Sequence, residues 1–152
     1  MTKFKYIKGS TNDLDQIKQL WEKLNQLHSE LSEDFKRSFQ TKTWELRKKD
    51  LISKSKEIHL NYVVDETNSI IGYCISTVDR IDESIGEIDS LYVEQIYRDS
   101  GIGKTLMNKA IDWLLSKNTI TQRLFVSSGN EQVLSFYEKF GFYPKNIKLE
   151  RI

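Results

Sequence analysis

The chain has 152 residues, 38% of them hydrophobic and 30% charged, enough for one domain with a real core but not two. The formal net charge is only +1, so nothing in the bulk composition attracts nucleic acid or a membrane surface. One cysteine rules out an internal disulfide, one cysteine with two histidines is a poor basis for a structural zinc site, and no apolar run approaches a membrane span. The start, Met1-Thr2-Lys3 followed by alternating Phe4, Tyr6 and charged residues, is no apolar signal core. The expectation is a cytoplasmic protein.

Residues 4–8 alternate and predict a first strand, ended by Gly9. Ser10 and Asp13 have capping-box spacing, with Thr11 or Asn12 as other candidate caps. Leu14, Ile17, Leu20, Trp21, Leu24, Leu27 and Leu31 then recur at helical spacing to about Ser32. His28 lies beside that stripe and reads as a partly buried structural histidine. Residues 33–39 are polar with Phe35 and Phe39 embedded, which either line a pocket or tether the loop. Residues 38–55 predict a second helix, with Trp44, Leu46, Leu51 and Ile52 on its apolar side. Its basic run Arg47-Lys48-Lys49 either attracts an anion or is solvated helix charge.

Residues 58–64, 70–78 and 85–93 predict a three-stranded meander, joined by polar turns at 65–69 and 79–84. Cys74 sits in the apolar run 70–75 and reads as a small core residue rather than a nucleophile. In the third strand, Ile88 has one parity and Leu91 and Val93 the other. An extra residue near Asp89-Ser90, a β-bulge, would bring all three to one face; a strand buried on both faces is the alternative. A helix over 104–116 carries Leu106, Ala110, Trp113 and Leu114 on one stripe. A strand at 123–127, a helix at 130–140 ended by Gly141, and two strands at 142–143 and 147–151 around Pro144 complete the chain. The order is βααβββαβαββ. The crossover helix makes the strands around Val93 and Leu124 parallel.

Between the third strand and its helix stands Arg98-Asp99-Ser100-Gly101-Ile102-Gly103-Lys104. A glycine turn opening a helix aims several backbone N–H groups at one point, which suits a phosphate. Two familiar phosphate loops do not fit. Gly103-Lys104-Thr105 ends like a Walker loop, but Arg98 stands where its first glycine is needed. A dinucleotide fingerprint needs a small residue where Leu106 stands. Arg-x-x-Gly-x-Gly after a strand instead resembles the acetyl-CoA signature of the GNAT superfamily of N-acetyltransferases. The stretch SSGNEQVLSFYEKFGFYP, residues 127–144, resembles the second block of that family. Asn130, Phe136, Tyr137, Glu138, Lys139, Gly141 and Phe142 match it as they stand, while Val133 replaces a frequent alanine. The resemblance covers about residues 70–144; the first sixty match only in element order.

That resemblance implies an α/β fold with a mixed sheet, α+β in character, as one domain over 1–152. It implies attack of a primary amine, on a small molecule or peptide, directly on acetyl-CoA, with no metal. The cosubstrate would lie on Leu91, Tyr92, Val93, Arg98, Asp99, Ser100, Gly101, Ile102, Gly103, Lys104, Asn130 and Tyr137. Glu87 occupies the place of a catalytic glutamate in some members, with Asp89 as its rival. Tyr137 matches the family tyrosine that protonates the leaving thiolate; it could equally be a core tyrosine, since Val133, Phe136 and Phe140 share its side. A non-catalytic CoA-binding sensor or structural module is the competing function. Residues 61–95 hold one basic and eight acidic side chains, a balance of −7, which points to a cationic amine acceptor. A homodimer stays open; nucleic acid and membrane partners are not expected.

Overall fold

In the computed structural model, which describes residues 3–152, the first alternating run forms β1 (Lys5–Gly9). The capping box is present: the Ser10 N–H donates to Asp13 Oδ2 at 2.8 Å, and the Asp13 N–H donates to the Ser10 carbonyl at 2.9 Å. It opens a 3₁₀ segment (Thr11–Ile17) that runs into α1 (Lys18–Leu31). The single second helix expected over 38–55 is two helices, α2 (Lys36–Gln40) and α3 (Trp44–Lys54). The break falls at Thr41-Lys42-Thr43. Threonine bonds its own backbone neighbourhood as well as it continues a helix. Here the Thr43 side chain accepts the Leu46 N–H at 3.2 Å, an N-cap that restarts the chain in a new direction.

Strands β2 (Ser55–Val64), β3 (Ile70–Asp79), β4 (Ile85–Val93) and β5 (Thr121–Leu124) complete one sheet in the order β1-β2-β3-β4-β5. All neighbours are antiparallel except β4 and β5, which α4 (Ile102–Ser116) connects in parallel. Each face buries its own core. Leu14, Trp21, Trp44, Leu51, Leu60 and Ile75 pack under α1 and α3. Ile71, Cys74, Ile88, Leu106, Met107 and Leu114 pack under α4.

The predicted bulge is present. Ile75 pairs with Ser90 and Ser76 with Ile88, so Asp89 has no partner across the ladder. The extra residue restores the pattern: Ile88, Leu91 and Val93 all meet the α4 cluster. Ser90 and Tyr92 turn to the α1/α3 side, where the Tyr73 hydroxyl and Ser90 Oγ are 2.8 Å apart.

The C-terminal third departs from expectation in its details. The strand expected over 123–127 is β5, Thr121–Leu124. The helix expected over 130–140 is a 3₁₀ turn (Glu131–Val133) followed by α5 (Leu134–Glu138). Gly141 ends it at φ 86° as a C-cap glycine does, and the Phe142 N–H closes back on the Tyr137 carbonyl at 3.2 Å. The final pair of strands at 142–143 and 147–151 does not form, and residues 142–152 run without regular structure. Two residues before Pro144 are too few to template a strand. Ile147 and Leu149 therefore stay 87% and 90% exposed.

The loop after β5 seats against the end of α1. Gly129 has φ +96°, and a Cβ there would stand 2.2 Å from the Leu31 carbonyl oxygen. Gly129→Ala combines a disfavoured φ with a backbone clash and is expected to cost about 2 kcal/mol or more. Urea denaturation checks this; a change under about 0.5 kcal/mol would mean that the loop does not rest on α1.

Candidate active site

The β4–β5 ladder runs from Ile85 opposite Thr121 to Ile88 opposite Leu124, and stops there. β4 continues to Val93 without a β5 partner. A wedge therefore opens at the bulge, with Asp89 at its apex. Leu91 and Val93 line its α4 side, where Tyr137 also packs. Glu87, Asp89, Ser90 and Tyr92 belong to the α1/α3 side.

The glycine turn meets the wedge from the α4 side. Asp99 and Gly101 take positive φ, 69° and 85°. The first bond of α4 runs from the Thr105 N–H to the Gly101 carbonyl at 3.1 Å. Among the described residues, the N–H groups of Ile102, Gly103 and Lys104 thus have no acceptor, as at any helix start. A glycine is required at 101 by its φ. At 103 the reason is different: a Cβ would stand 3.3 Å from Phe136 Cζ, so the glycine lets α5 sit against the start of α4. Arg98 differs from the rest of the turn. Its N–H is bound to the Gln95 carbonyl at 3.2 Å, and its Nε donates to the Val93 carbonyl at 2.9 Å. Its guanidinium lies 5.5 Å from the centre of the Tyr92 ring. Any hold on an anion comes from its remaining guanidinium N–H groups. Asn130 Oδ1 accepts from Gln132 Nε2 at 2.6 Å in the loop before α5.

On the other face the charges converge. Glu87 Oε1 accepts from Arg123 Nε at 3.1 Å and Oε2 lies 3.2 Å from Lys54 Nζ. Lys54 also reaches Asp89, and Thr77 Oγ1 donates to Asp89 Oδ2 at 2.6 Å. Burial works to raise the Glu87 pKa, but a hydrogen bond with Asp89 and the cations Lys54 and Arg123 outweigh it and hold the group low. Burial, then the charge of Glu87, push Asp89 up to about 7 despite Lys54. Two carboxylates in one site cannot both ionise freely, so they titrate as a pair. Neither candidate base stands alone. Glu87 keeps 12% side-chain exposure but is ionised and paired, while Asp89 has the proton affinity and no exposure.

The sequence showed Arg47 only as part of the basic run Arg47-Lys48-Lys49, open to an anion or to solvent; its tie to β4 was not read there. Its Nη2 donates to the Asp89 carbonyl at 3.0 Å, gripping the bulge itself. Beyond that run, the signal was spacing: Arg47, Leu51 and Lys54 share one face of a helix. Burial raises the Tyr137 pKa to about 12, and its ring centre lies 5.3 Å from that of Phe136. Cys74 is a buried core residue, its thiol pushed up to about 12 by burial. His28 packs against Phe39, ring centres 5.6 Å apart, and burial lowers its pKa.

The sequence profile of the acetyltransferase (GNAT) family matches residues 24–142. The chain belongs to the acetyltransferase (GNAT) family. An N-acetyltransferase of Methanocaldococcus jannaschii is 30% identical over 73 residues, covering 48% of this chain and 31% of that protein. The [ribosomal protein bS18]-alanine N-acetyltransferase of Escherichia coli is 26% identical over 100 residues, 66% of each chain. This chain thus spans about a third of the first relative and two thirds of the second. In fold it is similar to a GCN5-related N-acetyltransferase from Ralstonia eutropha, with TM-score 0.74 and 17% identity over 99% of both chains. It is also similar to glucosamine-6-phosphate N-acetyltransferase from Arabidopsis thaliana, with TM-score 0.62 and 19% identity over 99% of this chain and 98% of that one. At such identities the likeness is one of fold.

Among the described residues of this GNAT-family chain, no group of His, Cys, Asp and Glu is placed to hold a metal, and no helix is long and apolar enough to cross a membrane.

The carboxylate pair gives stability a defined pH dependence. From about pH 4, the ordinary range of Asp, to about 7, folded Asp89 keeps a proton that the unfolded chain releases. This group therefore makes stability fall as pH rises through that window. Glu87 acts oppositely, its contribution being lost as pH falls. Asp89→Asn removes the first effect. Its stability relative to the parent is expected to rise between about pH 4 and 7 and then level off. Urea melts across that range check it; a constant difference would mean that Asp89 titrates normally.

Proposed function

We propose that this GNAT enzyme transfers acetyl from acetyl-CoA to a primary amine by direct attack within the wedge at Asp89. One observation carries the reading: the β4–β5 opening has free helix N–H groups and Tyr137 on one side, and a carboxylate pair on the other. The residues present fit acetyl-CoA. The N–H groups of Ile102, Gly103 and Lys104, at the positive end of α4, suit its pyrophosphate. The edge of β4 beyond the ladder, at Leu91, Tyr92 and Val93, suits the amides of its pantetheine arm, though the Val93 carbonyl is already held by Arg98 Nε. Bound there, acetyl-CoA supplies an activated acetyl thioester.

The chain's own groups then have separable tasks. An alkyl ammonium has a pKa of roughly 10.4 and no lone pair, so a proton must leave before attack. The Glu87–Asp89 pair receives it, Glu87 being the less deeply buried member and Asp89 the site where a proton rests near neutrality. Backbone N–H groups on the free edge of β4 face the charge that develops on the carbonyl oxygen. Tyr137 stays protonated at neutral pH because burial opposes its ionisation. The thiolate it meets has a solution pKa of roughly 8.5, well below that of Tyr137. Tyr137 therefore assists chiefly by donating a hydrogen bond to the departing sulfur.

Thiol release from acetyl-CoA in the presence of an amine library, with the acetylated product identified by mass, tests the reaction. A non-catalytic CoA module would bind acetyl-CoA and release no thiol above background with any amine. Tyr137→Phe is expected to lower kcat by about ten- to a hundredfold, the range for a hydrogen bond to a charged group, with acetyl-CoA affinity little changed. A loss under about threefold with chemistry rate-limiting would return Tyr137 to a packing role. Glu87→Gln is expected to lower kcat and move the pH profile toward alkali, where free amine already exists; an unmoved profile would remove the pair from proton transfer.

A further inference from the structure

The acidic balance of residues 61–95 is not an open field. Asp79 accepts the N–H groups of Ile81 and Asp82, and Asp82 accepts those of Ser84, so both are spent on their own turn. Asp65 is bound to Thr67, Ser69 and Tyr97, and Glu94 is paired with Lys23 at 2.6 Å. Glu87 and Asp89 are held by Lys54 and Arg123. What these strands offer an acceptor at the wedge is a cluster of three cations, Arg47, Lys54 and Arg123, around two carboxylates. Its charge is +1 with both acids ionised, and higher when the pair holds a proton. The expectation of a cationic acceptor, drawn from sequence charge alone, loses its basis here.

Position sharpens the point. Arg123 stands on the last-but-one rung of the β4–β5 ladder, opposite Glu87. Arg47 grips the carbonyl of Asp89, the first residue past the end of that ladder. These two guanidiniums thus flank the apex from opposite elements, α3 and β5. Among the described residues each uses only one N–H, Arg47 through Nη2 and Arg123 through Nε. A guanidinium offers five donors in a planar fork matched to a carboxylate. Both side chains are partly exposed, so neither is sealed in the core.

Building on the acetyl-transfer reading, we infer that the acceptor is an amine with a carboxylate beside it, an amino acid, whose carboxylate is received by Arg47 with help from Arg123. The amine of such a molecule lies one carbon from its carboxylate. A carboxylate on the Arg47 fork therefore brings the amine to the bulge, beside the Glu87–Asp89 pair. A diamine would place a second ammonium against three cations.

The test uses the full chain, acetyl-CoA, and three matched acceptor sets: the twenty L-amino acids, their carboxamides and their decarboxylated amines, with spermidine added. The best free acid is expected to exceed its carboxamide in kcat/KM by about ten- to a hundredfold, the range for a charged hydrogen bond. Arg47→Gln is expected to bring that ratio within about threefold, through KM of the acid rather than of acetyl-CoA. Arg47→Lys, which keeps the charge and loses the fork, should fall between. Acetyl-CoA affinity by calorimetry shows that each variant is folded. If Arg47→Gln does not fold, the acid-to-amide ratio of the parent and its Arg47→Lys variant decides. A carboxamide, decarboxylated amine or spermidine matching the best acid, or a ratio unmoved by Arg47→Gln, overturns the inference and leaves acetyl transfer standing. Absence of thiol release with every set overturns the acetyl-transfer reading and this inference with it.

Discussion

One extra residue organises the molecule. Asp89 has no partner on β3, and two consequences follow from that misfit. Side-chain parity changes in mid-strand, so Ile88 and the pair Leu91 and Val93 bury against the same helix layer. The parallel ladder to β5 ends one residue earlier, at Ile88. A bulge bends its strand and increases local twist, and here that coincides with the parting of β4 from β5. The free backbone edge and the opening between the strands both begin at this point.

The two faces of the sheet then divide the work. The α4 face is apolar up to the wedge and presents helix N–H groups and one buried tyrosine. The α3 face brings five charged side chains to the same apex. Placing two carboxylates so close is unfavourable unless cations or a proton compensate. Here Lys54 bridges both acids, Arg123 takes Glu87, and Asp89 is left near the pH at which it shares its proton. The same crowding that costs stability yields a group whose proton affinity suits amine chemistry. Arg47 ties this arrangement to the bulge through the backbone rather than through another side chain.

Much of this was legible in the sequence because it is local. Apolar spacing placed the helices and strands, since each element must bury one stripe or face. The parity conflict between Ile88 and Leu91 left a bulge near Asp89-Ser90 and a strand buried on both faces open, and the family resemblance favoured the bulge that is present. The glycine turn was readable because Gly101 holds a positive φ that disfavours a side chain, while at 103 a Cβ would crowd Phe136 at 3.3 Å. The errors fell where local preference is weak. The helix break at Thr41-Lys42-Thr43 depended on a cap that competes closely with helix continuation. The strands expected after Gly141 have an alternating pattern, yet a strand needs a paired neighbour, and periodicity does not supply one.

The sequence by itself determined most of the element order up to the fifth strand, the glycine turn and the two blocks that resemble the GNAT family, because each depends on residues close together in the chain. Only the tertiary structure decided the electrostatics. Counting acids along residues 61–95 suggested a negative cleft, but a carboxylate acts on a ligand only with the charge its neighbours leave uncompensated. Those neighbours, Arg47 and Lys54 from α3 and Arg123 from β5, lie 42, 35 and 36 residues from their partners on β4. No local pattern encodes such a meeting; it exists because α3 and β5 pack against the same point of one strand.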